Sequence, residues 1–155
     1  MSKRNSITVD QSETTTKEGA EVKFIGYVEN EAGKVEISAK YRSGLEGLKD
    51  YSHAIILYWF HKRDAPEERE TLQVTPKRHP GAPQVGVFST RSPSRPNPIG
   101  LCIVELVEIN GSALIARGLD AIVGSPIIDI KPYNPRADSI PNAKIPLWAE
   151  KGPKT

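Results

Sequence analysis

The chain has 155 residues and a mass of 17.0 kDa, which is the size of one compact domain with a real core and too short for two. Its residues are 37% hydrophobic and 26% charged, with a mean hydropathy of -0.43, and no run approaches the ~18 apolar residues of a membrane span. A formal net charge of +2 does not by itself point to nucleic acid. The single cysteine, Cys102, excludes an internal disulfide and a cysteine-based zinc cage, so no metal centre is expected. The polar opening Met1-Ser2-Lys3-Arg4-Asn5 does not resemble a secretory leader, and a cytoplasmic protein without a membrane anchor is expected.

Residues 1–20 are rich in Ser, Thr and charge and read as a flexible N-terminal tail ahead of a domain over 21–149, with 150–155 as a short C-terminal tail. From Glu21 the pattern becomes short apolar stretches separated by Gly, Pro and Asn, without a long 3.6-residue period. Strands are predicted over Val22 to Glu29, Gly33 to Ile37, His53 to Phe60, Gln84 to Ser89, Leu101 to Ile109, Ala113 to Leu119 and Ile127 to Ile130. Asn110-Gly111-Ser112 between two of these is a strong hairpin signal. Helix is limited to one or two short turns, near Gly44 to Tyr51 and at Pro66 to Thr71, where a first-turn Pro precedes Glu67-Glu68-Arg69-Glu70. The pattern implies an all-β fold, a small single-domain barrel or a sandwich. Leu101 to Ile109 is apolar on both faces, with Leu101, Ile103, Val107 and Ile109 opposite Cys102, Val104 and Leu106. Such a strand needs a second cover, from a helix or another subunit.

Between Thr71 and Val104 there is no Asp or Glu, while Lys77, Arg78, Arg91 and Arg95 fall there, so an anionic partner or a solvated basic loop would suit this stretch. Six of the 13 prolines (Pro76, Pro80, Pro83, Pro93, Pro96, Pro98) lie in the same region. Each fixes its own φ and extends the residue before it, making Arg91 to Gly100 a stiff loop that can hold arginines in place before a ligand arrives. A rigid connector between strands would look the same. Further on, an extended Ile127 to Tyr133 places Asp129, Lys131 and Tyr133 on one face and Ile128, Ile130 and Pro132 on the other. An acid, a base and a phenol in a row suit proton transfer, and they equally suit a solvated barrel exterior.

The runs G-V-F-S-T-R-S-P-S-R-P-N-P-I-G (Gly86 to Gly100) and L-D-A-I-V-G-S-P-I-I-D-I-K-P-Y (Leu119 to Tyr133), with G-L-E-G-L-K-D-Y-S-H (Gly44 to His53) and Phe60-His61, closely resemble the TsaA-like or TrmO family. The resemblance covers roughly residues 21–149. It implies S-adenosylmethionine as cofactor, methylation of N6 of threonylcarbamoyladenosine beside the anticodon in tRNA, and a β-barrel homodimer with the cofactor near the subunit interface. The absence of Gly-x-Gly-x-x-Gly after a first strand agrees, since it speaks against a Rossmann-type methyltransferase.

By motif position, the resemblance puts the cofactor contacts on His61, Lys62, Arg91, Leu101, Val123, Gly124, Ser125 and Pro126; the row Asp129, Lys131 and Tyr133 is the candidate catalytic set. This chain departs from the family in having Val123 and Ser125 where Asp and Thr are usual, and it lacks an early Pro-Arg-Gln-type loop. Longer bacterial members continue into a C-terminal domain, so contact with tRNA is expected from Lys77, Arg78 and Arg95 on the barrel itself. The alternative function is a non-catalytic S-adenosylmethionine-binding sensor or partner protein. His53 reads as structural, Cys102 as a small buried hydrophobe, and Trp148 as packing the tail onto the barrel.

Overall fold

A computed structural model describes residues 18–154. The expected tail over 1–20 lies almost wholly outside them; Glu18, Gly19 and Ala20 are exposed and belong to no regular element. Six strands close into an antiparallel barrel: β1 (Gly26–Val28), β2 (Lys34–Ile37), β3 (His53–Trp59), β6 (Ile99–Asn110), β7 (Ala113–Arg117) and β8 (Pro126–Pro132). Their order around the barrel is β1-β2-β7-β6-β3-β8, with β8 returning to β1. The all-β expectation holds, and a barrel rather than a sandwich is what forms. Closure leaves no free sheet edge.

Alternate residues of each strand fill the interior. Val28, Val35, Ile37, Ala54, Ile56, Val104, Leu114, Ala116 and Ile127 are each 2% exposed or less. Two bulges modify the simple period. In β6, Leu106 faces Ala116 and Glu108 faces Ile115, so Val107 is the extra residue and Ile109 turns inward onto the core rather than outward with Leu101 and Ile103. In β8, Leu57 faces Asp129 and Tyr58 faces Ile127, leaving Ile128 as the extra residue, so Ile127 and Ile130 both pack inward while Asp129 and Lys131 stay outside.

The predicted strand at Gln84 to Ser89 is mostly a correction. Only β5 (Val85–Gly86) is extended, and it pairs with β4 (Gln73–Val74) in a two-stranded ribbon outside the barrel before the chain turns through Val87–Ser89 as a 3-10 helix. The predicted helical regions appear as 3-10 turns at Ala39–Leu45 and Leu48–Asp50 and as α1 (Pro66–Arg69). A further turn, α2 (Pro135–Asp138), was not anticipated; its cap is Asn134, whose side chain accepts from the Arg136 N–H at 3.0 Å. Trp148 packs edge-on against His79, with ring centroids 5.6 Å apart, so it ties the C-terminal segment to the 76–82 loop rather than to the barrel wall. The outer side of β6 is not covered by the described residues: Leu101, Ile103 and Val107 are 41%, 51% and 47% exposed.

Candidate functional site

One feature lies at the barrel end where β3 finishes and β6 begins. The chain turns at His61, whose N–H donates to the Trp59 carbonyl (2.9 Å). Opposite lies the β7–β8 connection, stitched to the end of β1 by Gly124 N–H to Val28 O (2.8 Å) and Val28 N–H to Ser125 O (3.0 Å). Gly124 has φ +86°, a left-handed conformation that suits glycine, and a Cβ there would sit 3.7 Å from His61 Nε2. The other ring nitrogen, Nδ1 of His61, is buried and has no hydrogen-bond partner among the described residues. An unpaired buried nitrogen costs ~1–3 kcal/mol, which singles His61 out among the candidate site residues.

Inside this end, the Tyr58 ring crosses Gly100 so closely that a Cβ there would meet it at 2.4 Å. Its hydroxyl donates to Asp120 Oδ1 at 2.8 Å. Burial, reinforced by the Asp120 carboxylate, pushes the phenol's ionisation far above the ordinary tyrosine range, so it remains a donor. Beside it, Cys102 Sγ donates to the Gly118 carbonyl at 3.1 Å. Burial raises this thiol, against a smaller opposite pull from the Arg91 charge, which keeps it a protonated small hydrophobe as expected. Arg91 is exposed at the head of the proline-rich segment.

The second feature is the outer face of β6, β3 and β8. Residues directly opposite in antiparallel strands share a face, and the register sets Leu101, Leu57 and Asp129 in one row across it, with Ile103, Ile55 and Lys131 in the next. Asp129 Oδ2 pairs with Lys131 Nζ at 2.8 Å, and its other oxygen accepts the Ile130 N–H at 2.9 Å. The carboxylate in turn raises the lysine, which stays cationic. Tyr133 continues the row: its N–H donates to the His53 carbonyl (3.1 Å) and its ring meets the His53 ring edge-on at 6.4 Å. Asp129 also stands on the rim of a pocket of about 410 Å³ between β8 and the 3-10 turns, walled by Ile25, Ile37, Leu48, Tyr41 and Tyr51.

The expected site residues thus fall into two groups. His61 and Gly124 face each other at one end, with Ser125 buried in the turn, Pro126 opening β8 and Val123 exposed, while Arg91 is exposed at the head of the proline-rich segment. Lys62 projects to solvent from the His61 turn. Leu101 belongs to the outer face with Asp129, Lys131 and Tyr133. Of the basic residues expected to meet tRNA, Arg95 is half-buried and donates through Nη1 to the carbonyls of Thr90 (2.9 Å) and Ser92 (3.2 Å), while Lys77 and Arg78 are exposed on the β4–β5 connection. Asp120 was missed, although an in-facing tyrosine on an apolar strand requires such a partner. The Arg63, Glu68 and Ser94 cluster was missed because Ser94 reaches Arg63 and Glu68 from another segment, 31 and 26 residues further along the chain.

A closed six-stranded antiparallel barrel with a few short helical turns defines a small single-barrel domain. The chain belongs to the tRNA-methyltransferase O N-terminal domain family, which residues 11–139 match. It is 41% identical over 130 residues to a probable S-adenosyl-L-methionine-binding protein of Archaeoglobus fulgidus, covering 84% of this chain and 34% of that protein. It is 40% identical over 134 residues to the tRNA (adenine(37)-N6)-methyltransferase of Escherichia coli, covering 83% of this chain and 56% of the enzyme. A crystal structure of TrmO superposes with a TM-score of 0.64 at 30% identity, over 82% of this chain and 63% of the other. The chain therefore spans about a third to somewhat under two thirds of these relatives.

Proposed function

We propose that this chain binds S-adenosylmethionine at the barrel end marked by His61 and Gly124 and transfers its methyl group to N6 of adenosine 37 in tRNA, in the threonylcarbamoyl-modified form. The single observation that carries the reading is the His61 ring, whose Nδ1 is buried without a partner among the described residues and whose Nε2 faces the left-handed Gly124 turn, 3.7 Å from where a Cβ would stand. The family relationship and the relatives' names support it. His61, Lys62 and Arg91 would hold the polar parts of the cofactor, and Val123 to Pro126 and Leu101 its apolar flank. When bound, the cofactor supplies an electrophilic methyl on a sulfonium.

The rest of the task falls to the chain's own side chains. N6 of a threonylcarbamoyl adenosine is urea-like and a weak nucleophile, so removal of its proton assists attack. Asp129 is the acceptor for that proton, and Lys131, kept cationic by the same carboxylate, offsets charge that develops on the carbamoyl oxygen or binds the threonyl carboxylate. Tyr133 donates from the end of the row. The exposed apolar strand beside Asp129 suits a second copy of the chain, so the acting form is a homodimer, working in the cytoplasm where its tRNA is found.

The test is single-turnover methylation of threonylcarbamoyl-modified tRNA with labelled cofactor, read by nucleoside mass spectrometry, beside calorimetry of cofactor binding. Wild type should methylate; Asp129→Asn should lose at least ~100-fold in rate, as general-base removal does, while keeping cofactor affinity within about twofold. Cofactor-bound wild type that transfers nothing would replace the enzyme with a cofactor-binding sensor or partner protein, and equal activity on unmodified tRNA would change the acceptor.

A further inference from the structure

The proline-rich segment Arg91 to Gly100 is gripped from one side and open on the other. Ser94, 6% exposed, closes a ring with two side chains from the turn that follows β3. Arg63 forks onto Glu68, Nε to Oε1 at 2.9 Å and Nη2 to Oε2 at 3.2 Å. The same Nη2 donates to Ser94 Oγ at 2.6 Å, and Ser94 Oγ donates back to Glu68 Oε2. Two residues along the segment, Arg69 Nε donates to the Pro96 carbonyl (2.9 Å) with its guanidinium over the Trp59 ring at 5.6 Å. Two further, the Phe60 N–H donates to the Pro98 carbonyl (2.8 Å). Residues 94, 96 and 98 are thus each tied to the chain that carries His61, while Arg91 and Asn97 are left exposed.

Proline fixes φ and so makes the segment stiff, but it does not say where a stiff segment sits. A ligand held between His61 on one element and Arg91 on another needs the two elements placed before it arrives, because ordering them on binding subtracts from affinity. We propose that Arg63, Glu68 and Ser94 are a positioning clamp that sets the proline-rich segment, and through it Arg91, against the His61 turn for cofactor binding. This rests on the cofactor reading given above. The Glu68 carboxyl is held below the usual carboxylate range, first by Arg63 and then by Ser94, so the clamp is charged and closed at neutral pH.

Hydrogen exchange of the cofactor-free protein, read by mass spectrometry, and calorimetry with S-adenosylmethionine test the clamp in Glu68→Gln, in the milder Ser94→Ala, in Arg91→Ala and in the double variant Glu68→Gln/Arg91→Ala. Opening the clamp should speed exchange across residues 91–100 without changing β3, and should weaken cofactor affinity about tenfold, an effect that disappears once Arg91 is alanine because the two act as one unit. Faster exchange with unchanged affinity, where Arg91→Ala does weaken binding, overturns the positioning role. A full loss added on top of Arg91→Ala does so too, since it reveals general damage. Arg91→Ala with wild-type affinity removes the cofactor reading on which the proposal rests, and this failure is distinct because the exchange measurement needs no cofactor.

Discussion

At the scale of single residues, the barrel end is built on one buried phenol. Tyr58 is 4% exposed, and its hydroxyl has Asp120 as partner, so the ring fills the core while its polar tip reaches the β7–β8 connection that carries Gly124. Tyr58→Phe keeps the ring and removes the bond to the exposed Asp120 carboxylate, and should cost ~0.5–1.5 kcal/mol in urea unfolding at pH 7. The pH dependence follows from the direction of the shift. A tyrosine whose folded-state ionisation lies above that of the unfolded chain contributes its full stability below about pH 10 and loses it as pH rises further, since only the unfolded form then releases the proton readily. Wild type should therefore lose stability between pH 9 and 11 more steeply than Tyr58→Phe, where that proton is gone. Parallel pH slopes would remove Asp120 and burial as the cause.

At the scale of elements, the β7–β8 turn joins stability to binding. Gly124 at φ +86° lies where a side chain costs ~1–2 kcal/mol, and the added Cβ would enter the space in front of His61 Nε2. Gly124→Ala is expected to lower the melting temperature and to weaken S-adenosylmethionine binding beyond what the stability loss explains; a lower melting temperature with unchanged calorimetric affinity would take this turn out of the site. What the sequence disclosed about elements followed locality. The β6–β7 hairpin was legible because Asn110-Gly111-Ser112 sits between two apolar runs, and the Asp129, Lys131, Tyr133 row because period two holds past Ile128. The bulge at Val107 was not legible, as nothing in Leu106-Val107-Glu108 signals an extra residue, and it moved Ile109 from the outer to the inner side. The β4–β5 ribbon was misjudged for a related reason. Val85 and Val87 alternate like a strand, yet Val87 opens a 3-10 turn that the Thr90 N–H closes on the Val87 carbonyl (3.1 Å). Of the site, the cofactor positions came from resemblance to a family, whereas the Arg63, Glu68 and Ser94 ring depends on contacts up to 31 residues apart that no motif records.

At the scale of the whole molecule, the question is what lies against the outer face of β3 and β6. Antiparallel barrels commonly alternate apolar inside with polar outside, but here Leu101, Ile103 and Val107 face out and are between 41% and 51% exposed. These side chains adjoin Asp129 and Lys131 through Leu57 and Ile55, so whatever covers them also borders the proposed transfer row. A second copy satisfies both conditions at once, since a two-fold axis through this face would bury the apolar strand against itself and bring each row near the neighbouring barrel. Light scattering at micromolar concentration should give twice the chain mass of 17.0 kDa. Ile103→Glu, which places a charge in the centre of that face without touching the core, should yield a folded monomer that loses most of its methyl transfer, because the site is then open to water. A wild-type protein that runs as a monomer would sink the dimer, and a monomeric Ile103→Glu with full activity would show that one barrel carries the whole site.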